Sequence, residues 1–198
     1  MLTLTAVRRS CPNFAQEASE DNSITWSSKR PQAVFRGSTT GGVFTPKNWR
    51  DFSRSKAVLA GKERPDLVDA GFTDVVQMED KLVIQEEFDR LGLRKEPMSH
   101  HEQLSYKMVL NIDGNSLADR FPSQLISNSA ILKQESLNIE YWYDELVPWK
   151  HYIPLDHDLQ DLTSTVEKVC CISPASMYSD VFQGFCYGLN MGFWAVEV

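Results

Sequence analysis

The 198-residue sequence has no apolar run long enough to span a bilayer, so it carries no evident membrane segment. The apolar stretch at its start is too short for a signal peptide, and charged residues follow it too soon. The cysteines are few and form neither a C-x-x-C pair nor a zinc spacing; they are Cys11, Cys170, Cys171 and Cys186. Neither a disulfide framework nor a metal site is therefore expected, and cysteine usage leaves the compartment open.

Positive charge is also scarce in this chain. Lysine and arginine number 20 against 27 aspartates and glutamates, which gives a net charge of −7. This balance argues against a nucleic-acid partner, since such proteins need a basic face. An acidic chain can still bind a small anion through local positive charge, so an arginine beside a glycine-rich turn becomes informative. The length allows one substantial core.

The familiar nucleotide-binding motifs are missing as well, because no Gly-Lys-Ser/Thr follows a glycine-rich loop and no GxGxxG occurs. Instead, the apolar run Ala33–Phe35 leads into the glycines and hydroxyls of 36–42, and Arg50 follows at the start of a helical pattern. Strand, permissive loop and helix in this order present N–H groups and charge to a phosphate. Alternatively, the segment is a surface loop whose glycines only permit unusual φ angles.

A second segment, 111–120, has the same organisation. The strand ends in Asp113 and Gly114, and Asn115 or Ser116 is a suitable N-cap for a following helix. On such a helix Ser116 and Arg120 would share one face, about 6 Å apart along the axis. Two anion sites of this kind suggest a diphosphate ligand. The alternative is a plain strand-to-helix turn with a solvated Arg120.

Short apolar runs alternate with helical patterns along the chain, which predicts an α/β fold with a mostly parallel sheet. The predicted strands are Ala33–Phe35, Leu67–Ala70, Lys107–Leu110 and Ala130–Lys133. The predicted helices are Trp49–Leu59, Glu86–Leu91 and Ser116–Ile126, the last kinked at Pro122. We expect a flexible lead-in over residues 1–25, a folded domain over 26–168 and a divergent tail of uncertain structure over 169–198.

Two further groups of residues have open interpretations. Asp156, His157 and Asp158 resemble an acidic metal-binding pair, but they lie in a polar stretch typical of a solvated loop. The aromatic residues 141–143 and Trp149 are typical of core packing, and a sugar-stacking surface is the alternative.

Taken together, these segments resemble the capsule-associated glycosyltransferase family, which includes Rumi-type protein O-glucosyltransferases and fungal capsule xylosyltransferases. The resemblance covers about residues 26–162 and rests on six ordered motifs: AVFRGSTTGG, NWRDFSRS, PDLVDAGFT, YKMVLNIDGNSLADRFPSQL, SNSAILKQES and EYWYDELVPWKHYIPLDHDLQDL. It implies a Rossmann-like half of a GT-B glycosyltransferase, specifically the C-terminal half that holds the sugar nucleotide.

The resemblance also implies donor-binding residues. By their place in the motifs these are Ser38, Arg50, Asn115, Ser116, Leu117, Ala118, Asp119 and Arg120, with Arg54 in reserve and Glu140 near the ribose. No catalytic residue is expected in this chain, since the family's base is an aspartate of the N-terminal half. The expected donor is a UDP-sugar, used without a metal or other cofactor.

The implied function is transfer of glucose or xylose from a UDP-sugar to a hydroxyl of a protein or glycan, in the endoplasmic reticulum or Golgi lumen. We expect the chain to be a fragment that lacks the half with the base, a truncated gene model being one explanation. A non-catalytic nucleotide-sugar-binding or interaction module is the second hypothesis. A phosphate-binding module of unrelated chemistry is the third.

Overall fold

Five parallel strands form a single sheet at the centre of the computed structural model, which describes residues 24–125 and 127–171. The strands lie in the order β2-β1-β3-β4-β5. Their bounds are Arg30–Gly37 for β1, Val68–Phe72 for β2, Tyr106–Asn111 for β3, Ala130–Gln134 for β4 and Ile153–Leu155 for β5. Every pairing is parallel, which confirms the predicted Rossmann-like α/β class.

Helices connect these strands. The α-helices are α1 at Ser53–Glu63, α2 at Lys81–Leu91, α3 at His100–Gln103, α4 at Phe121–Leu125 and α5 at Leu162–Cys171. Short 3₁₀ turns occur at Trp26–Ser28, Trp49–Asp51 and Tyr143–Glu145.

The main core lies between one face of the sheet and helices α1, α2 and α5. Phe35 of β1, Leu110 of β3 and Leu132 of β4 are nearly or fully buried there, together with Ala57 of α1 and Val166 of α5. The opposite face carries two smaller apolar clusters. Burial on both faces explains why the strands read as continuous apolar runs in the sequence.

A polar network crosses β1, β2 and β3 on the second face. The carboxylate of Asp69 accepts hydrogen bonds from Arg36 at 3.0 Å, from Lys95 at 2.7 Å and from the Tyr106 hydroxyl. Although burial opposes ionisation, the bonds from Lys95 and Tyr106 and the charge of Arg36 lower the pKa of Asp69 to about 2. The network therefore stabilises the folded state above the acid range.

The strand order reverses direction between β1 and β3. The chain moves from β1 to β2 on one side and then returns to add β3, β4 and β5 on the other. In parallel α/β sheets, ligands bind where this reversal opens a crevice at the carboxyl ends of the strands. Loops 38–44 and 112–120 both begin at this crevice.

The predicted helix Ser116–Ile126 is wrong at its start. Residues 112–118 are not helical, and α4 begins only at Phe121. The predicted kink at Pro122 is wrong too, because Pro122 lies in the first turn of α4, where its missing N–H costs nothing. Ser116 is therefore not an N-cap, and Ser116 and Arg120 do not share a helical face.

The helix predicted to begin at Trp49 begins one turn later, at Ser53, after a 3₁₀ turn at Trp49–Asp51. Elsewhere the four predicted strands are confirmed, and α2 extends the predicted Glu86–Leu91 toward its N-terminus. Three elements were not predicted: α3, β5 and α5. Helix α5 crosses the predicted domain boundary and includes 169–171; the rest of the predicted tail and residues 1–23 lie outside the described residues.

Candidate anion-binding site

The loops after β1 and β3 meet at the carboxyl edge of the sheet. The Gly41 N–H donates to the Asn115 Oδ1 at 3.1 Å. The β1 loop is also fixed from behind, since buried Thr39 exchanges two 2.7 Å hydrogen bonds with the backbone of Val76. The structure therefore brings together the two segments that the sequence proposed separately.

Arg54, in the first turn of α1, ties the two loops to each other. Its Nη1 donates to the Ser38 carbonyl at 3.0 Å, and its Nε donates to the Asp113 carbonyl at 2.9 Å. A longer bond of 3.4 Å runs from Nη2 to the Ile112 carbonyl. With only 9% of its surface exposed, Arg54 is a buried cation held by backbone oxygens.

Arg120 approaches the same place from the β3 loop. Its Nη1 donates to the Arg36 carbonyl at 3.0 Å, and its guanidinium carbon lies 5.5 Å from the centre of the Phe35 ring. The guanidinium carbon of Arg54 lies 5.8 Å from the same ring. The two like charges thus share one aromatic neighbour, and we call Arg54 and Arg120 the arginine pair.

Among the described residues no carboxylate bonds the arginine pair directly, although the charge of Asp119 acts on both arginines and that of Asp113 on Arg54. Burial, followed by the charge of Arg120, lowers the pKa of Arg54 to about 10. Burial likewise lowers the pKa of Arg120. Within residues 24–125 and 127–171 no carboxylate oxygen lies within 4.0 Å of either guanidinium, since the ion pairs there involve other side chains. Such an arrangement favours a bound anion.

The N-terminus of α1 adds to this positive potential. Its N-cap is Phe52, which offers no side-chain hydrogen bond to the first turn. The first N–H groups of the 11-residue helix therefore lack the usual side-chain acceptor, and the helix dipole is positive at this end. Helix ends of this kind are frequent phosphate sites.

Glycine is required where the loops touch the arginine pair. A Cβ at Gly114 would lie 2.6 Å from the Thr40 hydroxyl and 2.8 Å from Nη2 of Arg54. Gly41 has a φ of +109°, which side chains rarely adopt. The backbones of the two loops can therefore approach each other and Arg54 closely only because glycine has no Cβ.

Arg50 occupies a different environment from the arginine pair. Its Nη2 lies 2.6 Å from the Oε1 of Glu87, and its guanidinium stacks on the Trp49 ring at 4.1 Å. The side chain is 51% exposed. Although burial opposes ionisation, the bonds from Arg50 and Trp49 hold the pKa of Glu87 below its ordinary value. Glu87 would therefore compete with an anion for Nη2 of Arg50.

The other predicted donor-binding residues line the two loops. Ser38 is half-buried and lends its carbonyl to Arg54, while Asn115 is exposed and bonds Gly41. The remaining residues of the β3 loop differ in burial: Ser116 and Asp119 are exposed, Leu117 is half-buried and Ala118 is buried. The β3 loop therefore contributes to the crevice as a loop, and not as the start of a helix at Ser116.

A cleft of about 860 Å³ adjoins this crevice at the ends of β4 and β5. Asp113 connects the two regions, because its backbone carbonyl binds Arg54 while its carboxylate accepts hydrogen bonds from Ser136 and Asn138. Glu140, predicted near a ribose, lies half-buried in the segment that follows β4.

The sequence analysis kept Arg54 in reserve, whereas the structure places it between the two loops; the analysis did not single out Lys133, which lines the cleft. The available signal for Arg54 was its spacing of one helical turn from Arg50. For Lys133 the signal was a charged residue next to the apolar run Ala130–Leu132 of a predicted buried strand.

Comparison with known proteins identifies the family. Residues 5–170 match the model of glycosyl transferase family 90. The chain belongs to this family. It is 37% identical over 142 residues to protein O-glucosyltransferase 3 of Rattus norvegicus, an alignment that covers 72% of this chain and 25% of the rat protein.

Further relatives have the same pattern of coverage. Protein O-glucosyltransferase 2 of Danio rerio is 30% identical over 132 residues, covering 65% of this chain and 26% of that protein. Uncharacterized protein 035R of Invertebrate iridescent virus 3 is 35% identical over 153 residues, covering 72% and 13%. The chain thus spans about a quarter or less of the length of these relatives.

Residues 24–125 and 127–171 contain no group of three or more His, Cys, Asp or Glu placed to hold a metal. None of the helices described has both the length and the apolar character that crossing a membrane requires.

Proposed function

We propose that this chain binds the diphosphate of a UDP-sugar and takes part in transferring glucose or xylose to a hydroxyl of a protein or glycan. The observation that carries the proposal is the arginine pair, two desolvated cations at a helix N-terminus without a carboxylate within 4.0 Å among the described residues. The names of the relatives, protein O-glucosyltransferases, favour this chemistry over other uses of an anion site.

In the proposed reaction, the bond between the sugar and the UDP breaks, and negative charge develops on the departing diphosphate. Arg54 and Arg120 would stabilise that charge through planar guanidinium groups, which match phosphate oxygens. The first N–H groups of α1 would add their partial charge. Because these groups are held in place before the ligand arrives, little reorganisation opposes the reaction. We propose that they take the place of a metal ion.

The acceptor hydroxyl must lose its proton to a positioned base. Asp113 is a carboxylate candidate in the β3 loop, but its Oδ2 accepts hydrogen bonds from both Ser136 and Asn138. We therefore propose that the base comes from the partner half of a GT-B arrangement, and that the crevice described here is the donor side. The endoplasmic reticulum or Golgi lumen is the compartment that the proposal assigns.

A non-catalytic nucleotide-sugar-binding module is the second candidate. This candidate is favoured because the Asp113 carboxylate already accepts two hydrogen bonds, so that the described crevice would bind a donor without providing a base. Sugar transfer or UDP-sugar hydrolysis by the purified chain would reject this candidate.

The decisive experiment is a calorimetric titration of the purified chain with UDP and, separately, with inorganic phosphate. The proposal expects saturable binding of UDP that weakens on substitution of either member of the arginine pair. Absence of UDP binding contradicts it. A preference for inorganic phosphate over UDP supports an anion-binding module of unrelated chemistry instead.

A further inference from the structure

We propose that Phe35 is a positioning residue for the arginine pair, because its ring attracts both guanidinium groups and keeps two like charges together at the place where a diphosphate binds. This inference deepens the proposed function and rests on it. Phe35 lies in β1, and the sequence analysis treated it only as the end of an apolar run.

The distances from the ring are the first observation. The guanidinium carbon of Arg120 lies 5.5 Å from the centre of the Phe35 ring, and that of Arg54 lies 5.8 Å from it. Both distances fall within the roughly 6 Å over which an aromatic ring attracts a cation. Phe35 is only 1% exposed, so little water screens this attraction. The attraction is strongest for a desolvated cation, and burial lowers the pKa of both arginines.

The repulsion between the two arginines is the second observation. Burial, and then the charge of Arg120, lower the pKa of Arg54 to about 10, so each guanidinium opposes the other's charge. The hydrogen bonds that hold the pair end on neutral backbone carbonyls, those of Ser38 and Asp113 for Arg54 and that of Arg36 for Arg120. The face of an aromatic ring carries negative potential and therefore attracts both cations at once.

Gly37 is the third observation, because it gives the ring room to reach the arginine pair. Side chains alternate along a strand, so positions 35 and 37 of β1 share one face of the sheet. A Cβ at Gly37 would lie 2.9 Å from Cζ of Phe35 and 3.4 Å from Nη1 of Arg54. The absence of a side chain at Gly37 therefore lets the ring extend toward the end of β1, where Arg54 lies.

The competing interpretation is that Phe35 only fills the core. Phe35 does belong to the main apolar core, so removing the ring would disturb both roles together. Fluorine atoms on the ring separate the two roles, because they withdraw electrons from its face and change its size little. A core-filling ring tolerates this change, whereas a ring that attracts cations does not.

The test is calorimetric titration with UDP of chains in which Phe35 carries one, two or three ring fluorines. We expect the UDP affinity to fall stepwise with the number of fluorines, by about 3- to 30-fold for the trifluorinated ring, while the melting temperature changes little. The same residues at Phe88 are the matched control and should leave the affinity unchanged, because Phe88 is equally buried but packs on the rings of Trp49 and Phe72.

Two further measurements keep the test decisive. The chains with one and two fluorines differ least from the natural ring, so the stepwise trend can be read from them if the trifluorinated chain unfolds. A 3-methylphenylalanine at position 35 adds bulk without withdrawing electrons, and it should retain the UDP affinity.

An affinity that stays constant or rises with the number of fluorines would overturn this inference alone. An equal loss for the methylated ring would show a steric effect and would also overturn it alone. Failure of the unaltered chain to bind UDP would overturn the proposed function as well.

Discussion

The substitution Arg120→Met distinguishes whether Arg120 binds the ligand or only stabilises the fold. The substitution breaks the bond to the Arg36 carbonyl, at a cost of about 1.5–3 kcal/mol. It also removes the repulsion between the two guanidinium groups, which after burial is the second cause that lowers the pKa of Arg54 to about 10. Because these effects oppose each other, we expect the free energy of unfolding to change by less than about 1.5 kcal/mol.

The affinity for UDP should respond very differently from the stability. Each charge-assisted bond to a phosphate is worth about 1.5–3 kcal/mol, so Arg120→Met should weaken UDP binding about 10- to 150-fold. Thermal unfolding and calorimetric titration measure the two quantities on the same sample. Arg94→Met is the control and should change neither, because Arg94 is an exposed arginine that follows α2 and pairs only with Asp89 among the ion pairs described. Unchanged UDP affinity, or a stability loss of several kcal/mol, would refute the reasoning.

Three further predictions concern glycine, acid stability and Arg50. Gly114→Ala should weaken UDP binding because its Cβ would displace Arg54. A Cβ at Gly92 would meet nothing within 4 Å, but the φ of +67° is strained for alanine, so Gly92→Ala should lower the melting temperature without changing the affinity; equal affinities of the two variants would contradict this. The folded-state pKa of Asp69, about 2, lies below its unfolded value, so its contribution to stability is present above about pH 4 and lost as the pH falls toward 2. Asp69→Asn should flatten that part of the pH profile in denaturant titrations, and an unaltered profile would contradict the assignment. Glu87→Gln removes the negative charge that pairs with Arg50. If Arg50 also binds the donor, this substitution should raise UDP affinity, and an unchanged affinity would remove Arg50 from the site.

The fold was largely predictable because buried parallel strands have a simple signature. Four apolar runs identified β1 to β4, and their alternation with helical patterns predicted the parallel sheet. Strand β5 was missed because it has only three residues and contains Pro154, which the sheet tolerates at its edge. Helix α4 was predicted to begin too early, because the polar residues of the loop before it resemble a helix N-cap.

The candidate site was predictable in its location but not in its details. The sequence paired the two loops because each follows a predicted strand with a similar residue pattern, whereas the strand order that brings them together is seen only in the structure. Which arginine faces the crevice depends on the residue at which α1 begins. A start at Trp49 would place Arg50 in the first turn, but the start at Ser53 places Arg54 there instead. Helix starts are set by local packing, which sequence spacing does not specify.

The central claim is that the arginine pair binds the diphosphate of a nucleotide sugar, and a crystal structure of this chain with UDP tests it most directly. The account predicts phosphate oxygens within about 3.2 Å of guanidinium nitrogens of both Arg54 and Arg120, beside the N-terminus of α1. A diphosphate bound elsewhere, with neither arginine in contact with it, would contradict the account.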